Sequence, residues 1–211
     1  MISAEELRKY ALVDWKKAKL RDLTKADRTP QFEQDKKNCW FYSMCNNAYY
    51  NLQDFKLGDL IDVKVEMRND WIKIAEWWNP LLSWWYIARY LTKKLKKEIR
   101  VFNISFYETK KFCDLLKMWY CFEMTRISSP ELYKDNDDDW IINKIHYYWE
   151  QTGLHSTNIC FDRDKKMIKE LWTYWSSKHN IMLYNVLKFW ECIKTRAIES
   201  SFYFLAEMKD E

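Results

Sequence analysis

Apolar and polar positions alternate with a period of two at Ile61, Asp62, Val63, Lys64, Val65, Glu66 and Met67. That period predicts a β-strand with one buried face. Tyr49, Asn51 and Gln53 alternate ahead of it with Tyr50, Leu52 and Asp54, and Gly58-Asp59 between the two runs is a turn signal, so residues 49–67 predict a hairpin. Further strands are expected at residues 71–74, 84–91 and 99–106, which are rich in β-branched and aromatic side chains. For residues 71–97 the rival reading is an aromatic helix broken at Pro80.

The helical period appears toward both ends. Ser3 and Glu6 form a capping box, and Leu7, Tyr10, Ala11, Trp15 and Ala18 then share a face, predicting a helix over residues 4–23. Pro30 breaks the polar stretch at 28–38, after which a short second helix runs through Cys45. From Thr109 onward the chain reads as mainly helical. Phe112, Leu115, Leu116, Trp119 and Phe122 share one face, and further helices are expected at 140–152, 163–179 and 184–199. A short strand is expected at 159–161, and residues 200–207 are open between strand and helix. The pattern predicts a mixed α/β (α+β) fold, a central mixed sheet of four to six strands flanked by helices. It forms a single domain over residues 1–211, with a helical subdomain at 108–199. The alternative is an all-α, aromatic-rich helical bundle.

Composition narrows the class. The chain has 211 residues with 13 Trp, 14 Tyr and 11 Phe but only two Gly, against a usual glycine share of about 7%. Such a composition is compatible with a designed or recoded sequence. Six cysteines at 39, 45, 113, 121, 160 and 192 form no Cys-x-x-Cys pair and read as reduced thiols packed as small hydrophobes. The N-terminus carries charges where a signal peptide needs an apolar run. The most apolar window, 71–91, is interrupted by Lys73, Glu76, Asn79, Pro80 and Arg89. A soluble, cytoplasmic protein with no membrane partner is expected.

Net charge is only +4, so charge placement matters more than its sum. Arg89, Lys93, Lys94, Lys96, Lys97, Arg100, Lys110 and Lys111 are opposed only by Glu98 and Glu108, whereas residues 131–139 are acidic. This polarity is suited to steering an anionic polymer onto one face, and equally to two solvated loops. Trp77, Trp78, Trp84, Trp85 and Tyr86 beside the basic run are candidates for base stacking or for core.

Several chemistries lack their residues. Asp135, Asp137 and Asp139 begin like a calcium loop, but Trp140 stands where glycine makes the turn and His146 where a bidentate Glu is needed. His146, His155 and His179 form no zinc-binding spacing. There is no Gly-x-Ser-x-Gly elbow and no P-loop, and two glycines cannot build a phosphate-cradling loop.

Acid-x-Lys occurs seven times in the chain, and only at Asp62-Val63-Lys64 does it lie within an alternating strand, with Asp54 placed to fold back beside it. On one strand Asp62 and Lys64 share a side. Two carboxylates there would bind Mg²⁺ through hard oxygens, the ion would acidify a bound water, and Lys64 would orient that water or neutralise developing charge.

The stretch DFKLGDLIDVKV resembles the catalytic hairpin of the PD-(D/E)xK, or restriction-endonuclease-like, superfamily over residues 50–112, although Gln53 stands where the motif's name has proline. The resemblance implies a restriction-endonuclease-like fold and a Mg²⁺-dependent endonuclease acting on DNA. It makes Asp54 and Asp62 the metal ligands and Lys64 the water-positioning group, with Glu33 or Asp35 available as a further acid. Arg89, Lys93, Lys94, Lys96 and Lys97 would then contact the DNA backbone. The alternative is a non-enzymatic interaction or structural protein whose aromatics fill a core. A helical segment at 71–97 would favour that alternative. Oligomeric state, a homodimer included, and DNA specificity are open.

Overall fold

The computed structural model describes residues 2–19, 39–56, 58–59, 62, 80–105, 108–117, 121–127, 133–134, 140–141, 154–162, 166–171, 181–184 and 201–210. The expected strand at 71–74 and Lys64 lie outside them, as do the aspartate run at 135–139 and the helical expectations for 142–152 and 185–199.

The helices are α1 (Ala4–Arg8), α2 (Cys39–Asn51), α3 (Pro80–Leu95) and α4 (Thr109–Lys117). The strands are β1 (Ala11–Leu12), β2 (Ile99–Ser105), β3 (Phe122–Ile127), β4 (Tyr133–Lys134), β5 (Trp140–Ile141), β6 (Leu154–Asp162), β7 (Met167–Leu171), β8 (Ile181–Tyr184) and β9 (Ser201–Glu207). Among the described residues these strands form one sheet in the order β1-β2-β9-β3-β6-β7-β8-β5-β4. All neighbours are antiparallel except β1 with β2 and β5 with β8. The architecture is therefore mixed α+β, and the all-α alternative is excluded.

Period-two geometry sorts the sheet's side chains onto two covered faces. In the β2–β9 ladder Val101 pairs with Leu205 and Phe102 with Phe204. Ile99, Val101, Tyr203 and Leu205 pack with α2 and α3 in a core that includes Met44, Ala48, Trp84, Ile87 and Leu91. Trp84 stacks on Tyr203, ring centroids 5.9 Å apart. On the opposite parity Phe202 stacks on Phe112 of α4 at 4.3 Å, while Phe122 meets Phe112 at 4.9 Å and Phe204 at 5.0 Å. Among the described residues, aromatic side chains pack on both faces of this sheet.

Several expectations are corrected. The first helix stops at Arg8 rather than near residue 23, because Ala11–Leu12 pairs in parallel with β2 and a 3₁₀ turn, Trp15–Lys17, follows. Residues 80–95 are helical, not strand: Pro80 occupies the first helical position, where its missing N–H costs nothing. Trp84, Ile87, Ala88 and Leu91 then make the buried stripe at i, i+3, i+4 and i+7. Packing of that stripe outweighs the β-propensity of its aromatic neighbours.

Residues 49–51 belong to α2 and not to a hairpin arm. Among the described residues after Thr109, the helical expectation holds for α4. Residues 122–127, 140–141, 154–162, 167–171 and 181–184 are strands instead, and the open C-terminal segment is β9. Cys45, Cys121 and Cys160 are buried within hydrophobic clusters. Among the described residues no helix is long and apolar enough to cross a membrane.

Candidate functional site

The acids expected to carry chemistry gather where the C-terminal end of α3 turns into β2. Thr92 fixes this corner: its hydroxyl accepts from the Ile99 N–H at 3.1 Å and donates to the Ile99 carbonyl at 3.2 Å. Lys96, one residue past α3, takes the left-handed conformation that ends the helix (φ 52°). Lys94 and Lys97 lie on either side of that turn, and each gathers acids from elsewhere in the chain.

The first clasp is centred on Lys94. Its ammonium lies 2.6 Å from Asp62 Oδ2 and 3.2 Å from Asp59 Oδ1. Asp59 is itself fixed locally, accepting from the Lys56 N–H at 2.9 Å while its own N–H donates to the Lys56 carbonyl at 3.0 Å. The Gly58-Asp59 turn signal is thus realised, but it leads into helical backbone at Asp59 and Asp62. Asp62 is not on a strand, so the period-two relation that placed it beside Lys64 does not apply to it. The Asp62 carboxylate is 62% exposed.

The second clasp is centred on Lys97, which pairs with Asp54 and, at 3.2 Å, with Glu207 at the end of β9. Glu207, only 14% exposed, also receives Lys19 at 3.0 Å. This chain of pairs ties the segment after β1 and the end of α3 to the last strand. Lys19 N–H donates to the Glu207 carbonyl at 2.7 Å, closing the same contact through the backbone.

Asp54 and Asp62 are thus held by different lysines. Among the described residues no group of three His, Cys, Asp or Glu side chains is placed to hold a metal ion. Lys94 and Lys97, expected on a DNA-contacting surface, point their charge at this chain's own acids. Arg100 pairs with Glu98 and Lys111 with Glu108 at 3.2 Å, so the basic run from 89 to 111 is partly neutralised internally. Lys93 and Lys96 are exposed, and Arg89 is half-buried. Sequence reasoning missed Asp59 and Glu207. Glu207 opens one of the seven acid-x-Lys tripeptides, and only the pairing of β9 with β2 could have singled it out.

Hydrogen bonding to Asp62, with Asp59 adding to it, raises the Lys94 pKa above the ordinary lysine value against the cost of desolvation. Asp54 does the same for Lys97, followed by Glu207. A raised folded pKa stabilises below the unfolded value of about 10.4 and is lost as pH rises through the higher folded value. A Lys94→Met chain is therefore expected to lose a similar amount at pH 7 and pH 9, under about 1 kcal/mol because Asp62 is largely solvated. Urea titrations at the two pH values check it. A difference already gone by pH 9 would contradict the clasp.

No protein-family model, no curated protein and no solved structure matches the chain.

Proposed function

We propose that the charged site at the end of α3 serves an interaction or structural role, and that the chain acts by binding and not by metal-assisted phosphodiester hydrolysis. One observation carries this reading. Each described acid of the Asp54–Asp62 stretch already has an ammonium partner. A Mg²⁺ ion demands near-octahedral oxygen ligands at about 2.0 to 2.1 Å, so both lysines would have to withdraw before Asp54 and Asp62 became ligands. The helical backbone at Asp62 and the helix over residues 80–95 also favour this reading over a nuclease hairpin.

In this reading the clasps lock three distant parts of the chain around the α2–α3 core and leave Lys93 and Lys96 outward for weak, salt-sensitive contacts. The test is incubation of the protein with plasmid DNA and Mg²⁺, beside Asp54→Ala, Asp62→Ala and Lys64→Ala. No cleavage above background is expected from any of the four. Cleavage by the parent that disappears in all three variants would restore the endonuclease reading, with Asp54 and Asp62 on the metal and Lys64 on the water.

A further inference from the structure

Two cysteines that lie 39 residues apart in the chain are brought face to face on the sheet. In the antiparallel β3–β6 ladder Phe122 stands opposite Ile159. Continuing that register by one residue sets Cys121, just before β3, opposite Cys160. Side chains alternate between the two faces along each strand. Phe122 packs against Phe112 on the α4 side, so Cys121 and Cys160 belong to the α2 side. There both cluster with Tyr50 of α2. Asn158, on the same parity as Cys160, also reaches α2, its Nδ2 donating to the Ser43 carbonyl at 2.8 Å. Cys45 packs elsewhere, in the α2–α3 core.

The backbone fixes how close the pair comes. Cys121 N–H donates to Asn51 Oδ1 at 2.8 Å, and its carbonyl accepts from Asn51 Nδ2 at 2.8 Å and from Asn47 Nδ2 at 2.7 Å. Cys121 thus directs its backbone groups to α2 and not to Cys160, which makes the two a non-hydrogen-bonded cross-strand pair. Such pairs hold their Cα atoms about 4.5 Å apart, inside the span of about 4.4 to 6.8 Å that a disulfide bridges. The seam over them is also easier to open than a fully paired one. The Asn46 amide and Asn158 Oδ1 are buried with no hydrogen-bond partner among the described residues, which lowers the cost of lifting α2 there. Cys160 is 7% exposed and Cys121 0%, so Cys160 meets an incoming reagent first.

We propose that Cys121 and Cys160 are a redox-active dithiol, a modification site that exchanges with low-molecular-weight disulfides and closes a bridge between β3 and β6. The Cys160 thiol loses its proton to water, and the thiolate attacks one sulfur of the reagent R–S–S–R. The reagent's S–S bond breaks, Cys160–S–S–R forms, and the first R–SH leaves after taking a proton from water. Cys121, its own proton passed to water, attacks the Cys160 sulfur; the mixed disulfide breaks and the second R–SH leaves. The dithiol is oxidised by two electrons, and the reagent is reduced by the same two. The bridge closes the loop from 121 to 160 and pins the start of β3 beside Asn47 and Asn51, next to the pairing of Glu123 with Tyr203. By constraining the unfolded chain it stabilises the sheet.

The experiment is incubation of the intact, reduced chain with oxidised glutathione at about pH 8, close to the ordinary thiol pKa. Remaining thiols are then alkylated with iodoacetamide and the peptides mapped by mass without reductant, beside the same steps in urea. The native chain is expected to link Cys121 to Cys160 at least ~10-fold above any other pairing, whereas the urea sample gives mixed linkages. Dithiothreitol should remove the link. Cys121→Ser should retain glutathione on Cys160, and Cys160→Ser should leave Cys121 unmodified until urea is added. The oxidised parent should unfold at a higher urea concentration than the reduced one. Cys121 linked mainly to another cysteine, or neither cysteine oxidised in the native chain, overturns the assignment without recourse to any variant. Glutathione on Cys121 in native Cys160→Ser contradicts the order of attack, and a lower urea midpoint after oxidation contradicts a bridge that fits the sheet.

Discussion

A Phe202→Ala chain is expected to unfold at a much lower urea concentration than the parent, with a loss of about 3 to 5 kcal/mol. Phe202 is 1% exposed and stands at the centre of the aromatic layer on the α4 side of the sheet. Its ring stacks on Phe112 at 4.3 Å and meets Phe122 edge-on at 6.4 Å. Truncation removes the transfer energy of a benzyl group and leaves a void that α4 and β3 cannot both close, since each is anchored elsewhere. By contrast, Asp62→Ala removes a largely solvated ion pair and should cost about 0 to 1 kcal/mol. The ratio of the two losses, measured in one set of urea titrations with unchanged slope, decides whether the sheet's packing or the charged corner holds the fold. A Phe202→Ala loss below about 1 kcal/mol would mean the aromatic layer is not load-sharing in this way.

Parts of this architecture were legible because the residues that form them obey one rule at a time. Ser3 and Glu6 form the full capping box, Ser3 Oγ accepting from the Glu6 N–H at 3.1 Å and Glu6 accepting from the Ser3 N–H at 2.9 Å. Residues 99–105 have the β-branched pattern of a strand and are one. Thr109 begins a helix whose Phe112, Leu115 and Leu116 are buried, as their spacing required. Pro80 marked a boundary under either reading of its segment.

α2 was legible only in its first half, as the short helix expected through Cys45, and its second half was lost for an identifiable reason. Ser43, Asn46, Asn47 and Asn51 are all buried beside Phe41, Met44, Cys45, Ala48 and Tyr50, so no polar stripe marks a solvent side and the helical period disappears. What the pattern offered instead, the alternation at 49–54, was the accident of an asparagine, Asn51, that is buried on the helix. The charged site failed differently. Asp54 and Asp62 were expected to meet through a hairpin, but their partners, Lys94 and Lys97, lie 32 and 43 residues away from them along the chain. Glu207 joins them only because β9 pairs with β2. Ion pairs between distant segments leave no local signature, whereas a strand period does.

The inward asparagines carry the second large expected effect. Asn47 Nδ2 donates to the Cys121 carbonyl at 2.7 Å and to the Tyr203 carbonyl at 3.2 Å. Its Oδ1 accepts from the Leu205 N–H at 2.9 Å and from Asn51 Nδ2 at 3.0 Å. Asn51 in turn brackets Cys121, accepting from its N–H and donating to its carbonyl, both at 2.8 Å. Among the described residues β3 pairs with β9 at Glu123 and Tyr203, and these amides extend the contact beside that pair. Asn47→Ala leaves the Leu205 N–H and the Tyr203 carbonyl without that partner in a buried seam. At about 1 to 3 kcal/mol for each stranded group, the expected loss is about 2 to 5 kcal/mol.

Asn47→Asp separates this cause from lost volume. A carboxylate there keeps the acceptor for Leu205 but faces two carbonyl oxygens with no proton to offer, so burial should push its pKa above the ordinary aspartate value. The variant should then be closest to the parent below the unfolded aspartate value of about 3.9 and should lose stability as pH rises through the higher folded value. Urea midpoints of parent, Asn47→Ala and Asn47→Asp at pH 4 and pH 7 resolve it. If Asn47→Asp fell no further behind the parent at pH 7 than at pH 4, the donor side of the amide would not be what joins α2 to Cys121 and Tyr203.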